Sequence, residues 1–578
     1  MSIDDYQGDN RTMDHIANQN PSGVGRRTWM KTSAGLAAAA VAAGGARRAA
    51  AKPPSATSEG TLVVVSDTNA IVETTAGKVQ GFTRNGIETF KGIPYAASPG
   101  GGARFLPPSK PEPWKETRTS LWYGKTCPQE ARGGWESDVV SFLSEWDDGQ
   151  PGENCLRVNV WTPGLDRGKR PVMFWIHGGG FSAGSGQEQP AYHGENLARR
   201  GDVVVVSVNH RLGVLGYLNL ADFGTQYAES ANVGMLDLVA ALEWVRDNIA
   251  NFGGDPGNVL IFGQSGGGCK VSTLMTMPAA QGLFHKAVVQ SGSLTLAMKP
   301  DSSAELAASV VAELGLSKAQ IAKIHELPVS QLIDAGAHAM AKLSPPFKPG
   351  EPFRLPRIMW GPAIDGKTIP AVPFDPAAPQ ISAGVPMLVG TVMHEFNPAM
   401  GNPKAEDMTA AQLKAQFAQT YGDRAARMLE IAQRLYPGQK PVALAAITGA
   451  AMFRLPAVSQ CDRKAAQGAA PVYMYQFAWE TPVMDGRPRA FHCSEIPFVF
   501  YNTDVSAFCT GGGPAPRALA AKVSDAWIHF ARSGDPNHSG LPAWPKYSAA
   551  ARPAMVFNTR CEVQNDYDKE LRALLTQA

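Results

Sequence analysis

Charge is scarce and balanced in this sequence. Asp, Glu, Lys and Arg make only 18% of 578 residues, and 53 basic against 51 acidic side chains leave a net charge of +2 with no long run of either sign. Nucleic-acid binding needs a basic stripe, which is missing. No uninterrupted apolar stretch reaches the roughly 18 residues needed to cross a bilayer, so no membrane span is expected. Cysteine is sparse too: Cys127, Cys155, Cys269, Cys461, Cys493, Cys509 and Cys561 show no C-x-x-C spacing, which disfavours a zinc or redox centre. Their odd number leaves at least one thiol free or paired outside the chain. His394-Glu395 lacks a second histidine four residues on, so H-E-x-x-H metalloprotease chemistry is dismissed. No metal or cofactor is expected. What is abundant is apolar character, 44% of residues, as in a globular chain with a large core. A prior of about 150 residues per domain would give about four domains. That prior is set aside, because large α/β folds often grow one sheet by loop insertion.

The first 51 residues read as a delivery signal. Gly25-Arg26-Arg27-Thr28-Trp29-Met30-Lys31 is followed by a mildly apolar, Ala-rich segment at 34–46 and by Arg47-Arg48-Ala49-Ala50-Ala51. A positive start, an apolar middle and a small-residue end follow the order of a signal peptide. The paired arginines resemble the twin-arginine export signal. Cleavage is expected after Ala51, with 52–69 a flexible linker and a bacterial periplasmic or secreted destination reached through export machinery. An oxidising destination favours disulfides.

The strongest chemical pattern begins at Phe252. Turn residues from Phe252 to Asn258 precede Val259-Leu260-Ile261-Phe262, a short run suited to a strand buried on both faces. Gly263-Gln264-Ser265-Gly266-Gly267 follows, and the residues from Val271 to Met277 suggest a helix. Strand, G-x-S-x-G and helix together form a nucleophile elbow, with Ser265 as nucleophile. So tight a turn needs small neighbours, because a side chain at Gly263 or Gly267 would strike strand or helix. A second buried-strand run, Val172-Met173-Phe174-Trp175-Ile176, opens into His177-Gly178-Gly179-Gly180-Phe181. Glycines there let backbone N–H groups reach a substrate oxyanion.

Many further stretches occur in one order. They include Phe90-Lys91-Gly92-Ile93-Pro94-Tyr95-Ala96, Glu153-Asn154-Cys155-Leu156-Arg157-Val158-Asn159-Val160-Trp161, Val208-Asn209-His210-Arg211-Leu212-Gly213, Trp244-Val245-Arg246-Asp247-Asn248-Ile249, Gln290-Ser291-Gly292 and Gly534-Asp535-Pro536-Asn537. Together with the elbow they make the chain resemble a type-B carboxylesterase, the cholinesterase-like branch of the α/β-hydrolases, from about residue 70 to the end. The resemblance implies a single domain over residues 70–578 with an α/β-hydrolase fold: a central, mostly parallel sheet flanked by helices, with helical insertions forming a gorge. It also implies oxyanion N–H groups from Gly179, Gly180 and Gly266, and a disulfide between Cys127 and Cys155.

In α/β-hydrolases the acid and then the base follow the serine. Three late histidines compete. His529 lies in an amphipathic helical stretch and His538 in a loop. His492, in Phe491-His492-Cys493-Ser494-Glu495-Ile496-Pro497, resembles the family's H-G-x-E-L/I-P element and is the expected base. Cys493 replaces the usual glycine there, which should alter packing. Glu395, after the strand-like Pro386-Met387-Leu388-Val389-Gly390, resembles the middle of the family's D-E-G and is the expected acid. His394 and Phe396 replace its flanking residues. Cys269, Asp237 and Asp255 read as structural.

The expected reaction is hydrolysis of a small, uncharged carboxylic ester through an acyl-enzyme on Ser265. Hydrolysis of amides, carbamates or polyester oligomers on the same residues is the alternative. A non-catalytic binding module is a rival that the complete set of Ser265, Glu395 and His492 disfavours. Trp114, Trp122, Trp135, Trp146, Phe347, Phe353 and Trp360 fall in the insertions expected to line the gorge.

Overall fold

The two apolar runs that flank the glycine motifs become neighbouring parallel strands. In the computed structural model, which describes residues 62–130, 137–293, 297–344 and 356–576, strand Arg170–Ile176 pairs with Gly254–Gln264, bringing Trp175 beside Phe262 and Ile176 beside Gly263. Alternation along each strand explains why these runs are apolar throughout. Val172, Phe174, Ile176, Val259 and Ile261 enter one core, while Met173, Trp175, Leu260 and Phe262 enter another on the opposite face. A sheet covered on both sides buries both side-chain registers.

Twelve strands complete this sheet. Their order is Val63–Val64, Phe82–Arg84, Ile87–Pro94, Arg157–Thr162, Val204–Asn209, Arg170–Ile176, Gly254–Gln264, Lys286–Gln290, Met387–Val392, Val472–Phe477, Pro553–Phe557 and Glu562–Asn565. The strands from Val204–Asn209 to Pro553–Phe557 are mutually parallel, and the edges are antiparallel. This is the α/β-hydrolase architecture. From strand Arg170–Ile176 the chain moves to Val204–Asn209 on one side, then to Gly254–Gln264 on the other. That reversal opens a crevice at the strands' carboxyl ends, where open α/β sheets bind ligands. A separate small sheet joins Ile71–Thr74, Gly77–Gln80 and Arg118–Thr119.

Structural roles fall where the sequence placed them for two aspartates. Asp237, on helix Val233–Asn248, accepts hydrogen bonds from Arg211 Nε at 2.9 Å and Nη2 at 2.7 Å, both residues being fully buried. Asp255, at the irregular start of strand Gly254–Gln264 rather than in a turn, accepts from Gly257 N–H.

One expectation needs correction. Residues 62–69, the end of the segment taken as a linker, are drawn to the sheet edge, where Val63 and Val64 pair with Arg84 and Thr83; β-branched residues suit that pleated edge. Residues 1–51, with the expected signal, and 52–61 lie outside the described residues. One apolar region, broken by charged residues, comes near the length and composition of a membrane span: helices Pro441–Gly449 and Ala451–Ala466 taken together. Most of that run is buried inside the protein, and it carries Arg454, which pairs with Asp568 at 2.5 Å in the interior. Its apolar character belongs to the protein core. Cys127 and Cys155, the pair that the resemblance links, lie buried beside one another as thiols. They are hydrogen-bonded to each other, which pushes the Cys155 thiol well above its ordinary pKa. Cys269 is buried, as expected.

Candidate active site

Ser265 stands at the end of strand Gly254–Gln264, with φ 56° and ψ −124°. A non-glycine residue in that region stores strain on the order of 1–3 kcal/mol. Its surroundings allow no alternative. A Cβ on Gly263 would sit 2.6 Å from the Gly267 carbonyl carbon and the Ile176 oxygen, and one on Gly267 would sit 2.0 Å from the Ile176 oxygen. Ser265 N–H donates to Gln290 O at 2.8 Å. Helix Gly266–Leu274 starts at the very next residue, five earlier than the sequence pattern suggested. Its unsatisfied N–H groups and positive dipole end therefore lie at the serine.

The glycine loop meets this elbow directly. A Cβ on Gly266 would fall 2.2 Å from Gly180 O, so the two backbones touch. Gly179 and Gly180 have φ of 80° and 61°, which glycine adopts without steric cost. The carbonyls that precede their N–H groups are tied back into the protein. His177 Nδ1–H donates to Gly178 O at 3.0 Å, and Ala183 N–H donates to Gly179 O at 2.9 Å. In a planar trans peptide the N–H points opposite the C=O. Gly179 and Gly180 N–H are thereby turned away from those bonds, towards the crevice that both residues line.

The other two predicted residues are brought together from distant segments. His492 Nδ1–H donates to Glu395 Oε2 at 2.5 Å, with both side chains almost fully buried. Glu395 Oε1 accepts from Ser291 Oγ–H at 2.9 Å and Val392 N–H at 3.1 Å. The backbones are clamped as well: His492 N–H donates to Glu395 O and His394 N–H to Ala490 O. Glu395, at φ 40°, and Cys493, at φ 79°, occupy the left-handed region where strain is stored. His394 is buried beside this clamp; burial, aided by the charge of Arg489, pushes it down to about 3, so it stays neutral. His529 is exposed, and His538 donates to the Lys522 carbonyl and accepts from Gly540 N–H in its own loop. Neither approaches a catalytic arrangement.

A cavity of about 400 Å³ opens over Ser265. Gly178, Gly179, Gly180, Gln264, Cys493, Phe396, Tyr192, Trp146, Glu130 and Glu188 are among its walls. Of the expected aromatics that fall among the described residues, Trp146 lines it. Trp360 supports it indirectly by donating to Glu130 Oε1 at 3.3 Å. Trp114 covers Gly77 and stacks with Arg118, and Trp122 lies exposed beside Lys91. Trp135, Phe347 and Phe353 lie outside the described residues.

With this geometry in place, comparison with known proteins identifies the family. The sequence profile of the carboxylesterase family matches residues 68–574. The chain belongs to the carboxylesterase family. Like its relatives, this carboxylesterase is a carboxylic-ester hydrolase. It is 36% identical to the para-nitrobenzyl esterase of Bacillus subtilis strain 168, over 88% of its own length and 99% of the relative's. It is 34% identical to the phenmedipham hydrolase of Pseudarthrobacter oxydans, over 83% and 94%. Among solved structures it matches, at 37% identity and TM-score 0.75, a Clostridium hathewayi esterase described as able to hydrolyse aliphatic aromatic polyesters, over 89% and 99% of the two chains.

Sequence reasoning missed part of the carboxylesterase's site. Gln264 Nε2–H donates to His492 Nε2 at 3.2 Å, while its Oε1 accepts from Cys493 Sγ–H at 3.1 Å. Cys493, where a glycine was anticipated, is thus tied into the site. Phe396 packs on the His492 ring at a 4.5 Å centroid distance, with Phe453 at 5.2 Å. Adjacency to Glu395 was the only signal for Phe396, and Phe453 had none.

Proposed function

We propose that Ser265, His492 and Glu395 hydrolyse a small carboxylic ester through an acyl-enzyme. The observation that carries this reading is the His492–Glu395 hydrogen bond of 2.5 Å at the edge of the crevice where Ser265 heads its helix. A serine hydroxyl needs a base. His492 Nε2 takes the Ser265 proton as Oγ attacks the acyl carbon, exchanging its bond from Gln264 for one from the hydroxyl. Glu395 fixes the tautomer and supports the imidazolium. Gly179, Gly180 and Gly266 N–H groups receive the oxyanion, each typically contributing about 2.7–4 kcal/mol. His492 then protonates the departing alcohol, and water repeats the sequence on the acyl-enzyme. Ser265→Ala should lower turnover of a short-chain aryl ester by at least about 10⁴-fold; full retention would overturn the assignment. Labelling by a fluorophosphonate separates this reading from a binding module.

The solved relative's polyester substrate and the aromatic wall formed by Trp146, Tyr192 and Phe396 support aromatic ester oligomers as a second substrate class. A panel of aryl esters, amides, carbamates and terephthalate oligomers ranks them by kcat/KM.

Export through residues 25–51 rests on the order of charge, apolar segment and small residues. Arg26→Lys with Arg27→Lys should retain the protein in the cytoplasm, measured by fractionation. Oxidation of Cys127 and Cys155 after export is supported by their direct contact. Alkylation of unreduced, denatured protein should then leave both unmodified.

A further inference from the structure

One buried side chain at the site has no role in the reaction just described. Lys270 lies on helix Gly266–Leu274, one turn beyond the serine, and is fully buried. Helical side chains slant towards the N-terminus, so its stem runs back along the first turn. Nζ ends 3.2 Å from His177 O and 5.7 Å from the centre of the Phe181 ring. Among the described residues, that carbonyl is its one hydrogen-bond acceptor. An amino group sealed in with one partner is costly, and burial pushes it down to about 7. Glu188 and Cys269 oppose that shift, and His210, stacked on His177, is the other titratable group in its field.

We propose that Lys270 is a positioning residue for the oxyanion hole, holding the His177 carbonyl and through it the orientation of the glycine loop. His177 O, Gly178 O and Gly179 O are three successive carbonyls. Lys270 ties the first, His177 Nδ1–H the second and Ala183 N–H the third. Each bond fixes one peptide plane, and the last two planes carry the Gly179 and Gly180 N–H groups. Losing the first lets the His177 ring and the Gly178 peptide rotate together. The ground-state ester, which needs these donors less than the oxyanion does, should feel this little.

This inference rests on the Ser265 reading, and the experiment separates the two. Lys270→Met, Lys270→Gln and Lys270→Arg are compared on p-nitrophenyl butyrate, with active sites counted by complete fluorophosphonate titration. Lys464→Met is the control: Lys464 is also buried, but it donates to Ser382 O and Ala383 O away from the crevice. Lys270→Met should lower kcat per titrated site about 10- to 100-fold with KM within about threefold. Affinity for a trifluoromethyl ketone, which forms an oxyanion on the serine, should fall by the same factor. Lys270→Arg should recover part of both, and Lys464→Met should keep wild-type kcat. Should Lys270→Met fail to fold, Lys270→Gln, polar but too short to reach His177 O, decides by the same readouts. The proposal is overturned if the folded variants keep kcat and ketone affinity within twofold, or if Lys464→Met loses kcat equally. Failure of wild-type protein to be labelled at Ser265 would instead overturn the catalytic assignment.

Discussion

Ser265 adopts φ 56° because glycine at 263, 266 and 267 permits two backbones to pass at contact distance. Restoring one methyl group should therefore be enough to damage the site. Gly266→Ala places a Cβ against Gly180 N and O, at 2.4 and 2.2 Å, and the glycine loop must move. A fall in kcat of about 10²–10³-fold is expected, the usual consequence of losing an oxyanion donor, with secondary structure by circular dichroism unchanged. Glu395→Gln tests the other side of the serine. An amide in place of the carboxylate removes support for the imidazolium and disturbs the tautomer. Steady-state kinetics should show kcat reduced by about 10³–10⁴-fold, and a value within tenfold of wild type would contradict the role given to Glu395. Ser265, Glu395, His492 and the candidate oxyanion glycines Gly179, Gly180 and Gly266 could all be named from the sequence, because each sits in a short run with a distinctive pattern. Gln264 and Cys493 were legible only as letters in those runs. Their mutual contact joins segments 229 positions apart, and no local pattern reports that.

At the scale of elements, strands were easier to read than helix ends. A run such as Val172-Met173-Phe174-Trp175-Ile176 is apolar on both registers, and only burial on both faces explains it. Helix Gly266–Leu274 begins inside the glycine run, where intrinsic propensity argues against a helix. Packing against strands Gly254–Gln264 and Lys286–Gln290 overrides that preference. Helices Pro441–Gly449 and Ala451–Ala466 together come near the length and composition of a membrane span, yet most of that stretch is buried and Arg454 pairs with Asp568 in the interior. That pair gives an element-scale prediction. Asp568→Asn leaves the buried guanidinium uncompensated and should destabilise the protein by about 3–5 kcal/mol, read as a lower denaturation midpoint. Replacing both partners, Arg454→Met with Asp568→Leu, should recover most of that loss.

For the whole molecule, the chemistry is concentrated where the sheet reverses its strand order, and buried charge accumulates there. Glu495 lies wholly inside, pushed up to about 7 by burial and then by the charge of Glu395. A carboxyl whose folded pKa exceeds its unfolded value of about 4.5 binds its proton more tightly when folded. Its contribution is complete below about pH 4.5 and is lost as pH rises to about 7, by up to roughly 1.4 kcal/mol per pH unit. Thermal unfolding should show Glu495→Gln gaining on wild type between pH 5 and 8, with the advantage vanishing near pH 4.5. A pH-independent difference would contradict the burial argument.

The sequence alone pointed to the fold class, through its resemblance to the type-B carboxylesterases, and singled out Ser265, Glu395 and His492 as candidates, because each sits in a short contiguous run with a distinctive pattern. Tertiary structure alone decided what surrounds them: that Phe396 and Phe453 pack on His492, that Trp146 lines the cavity while Trp114 and Trp122 do not, and that Lys270 reaches the glycine loop. Those facts depend on distances between segments remote along the chain, and packing of the whole molecule sets such distances.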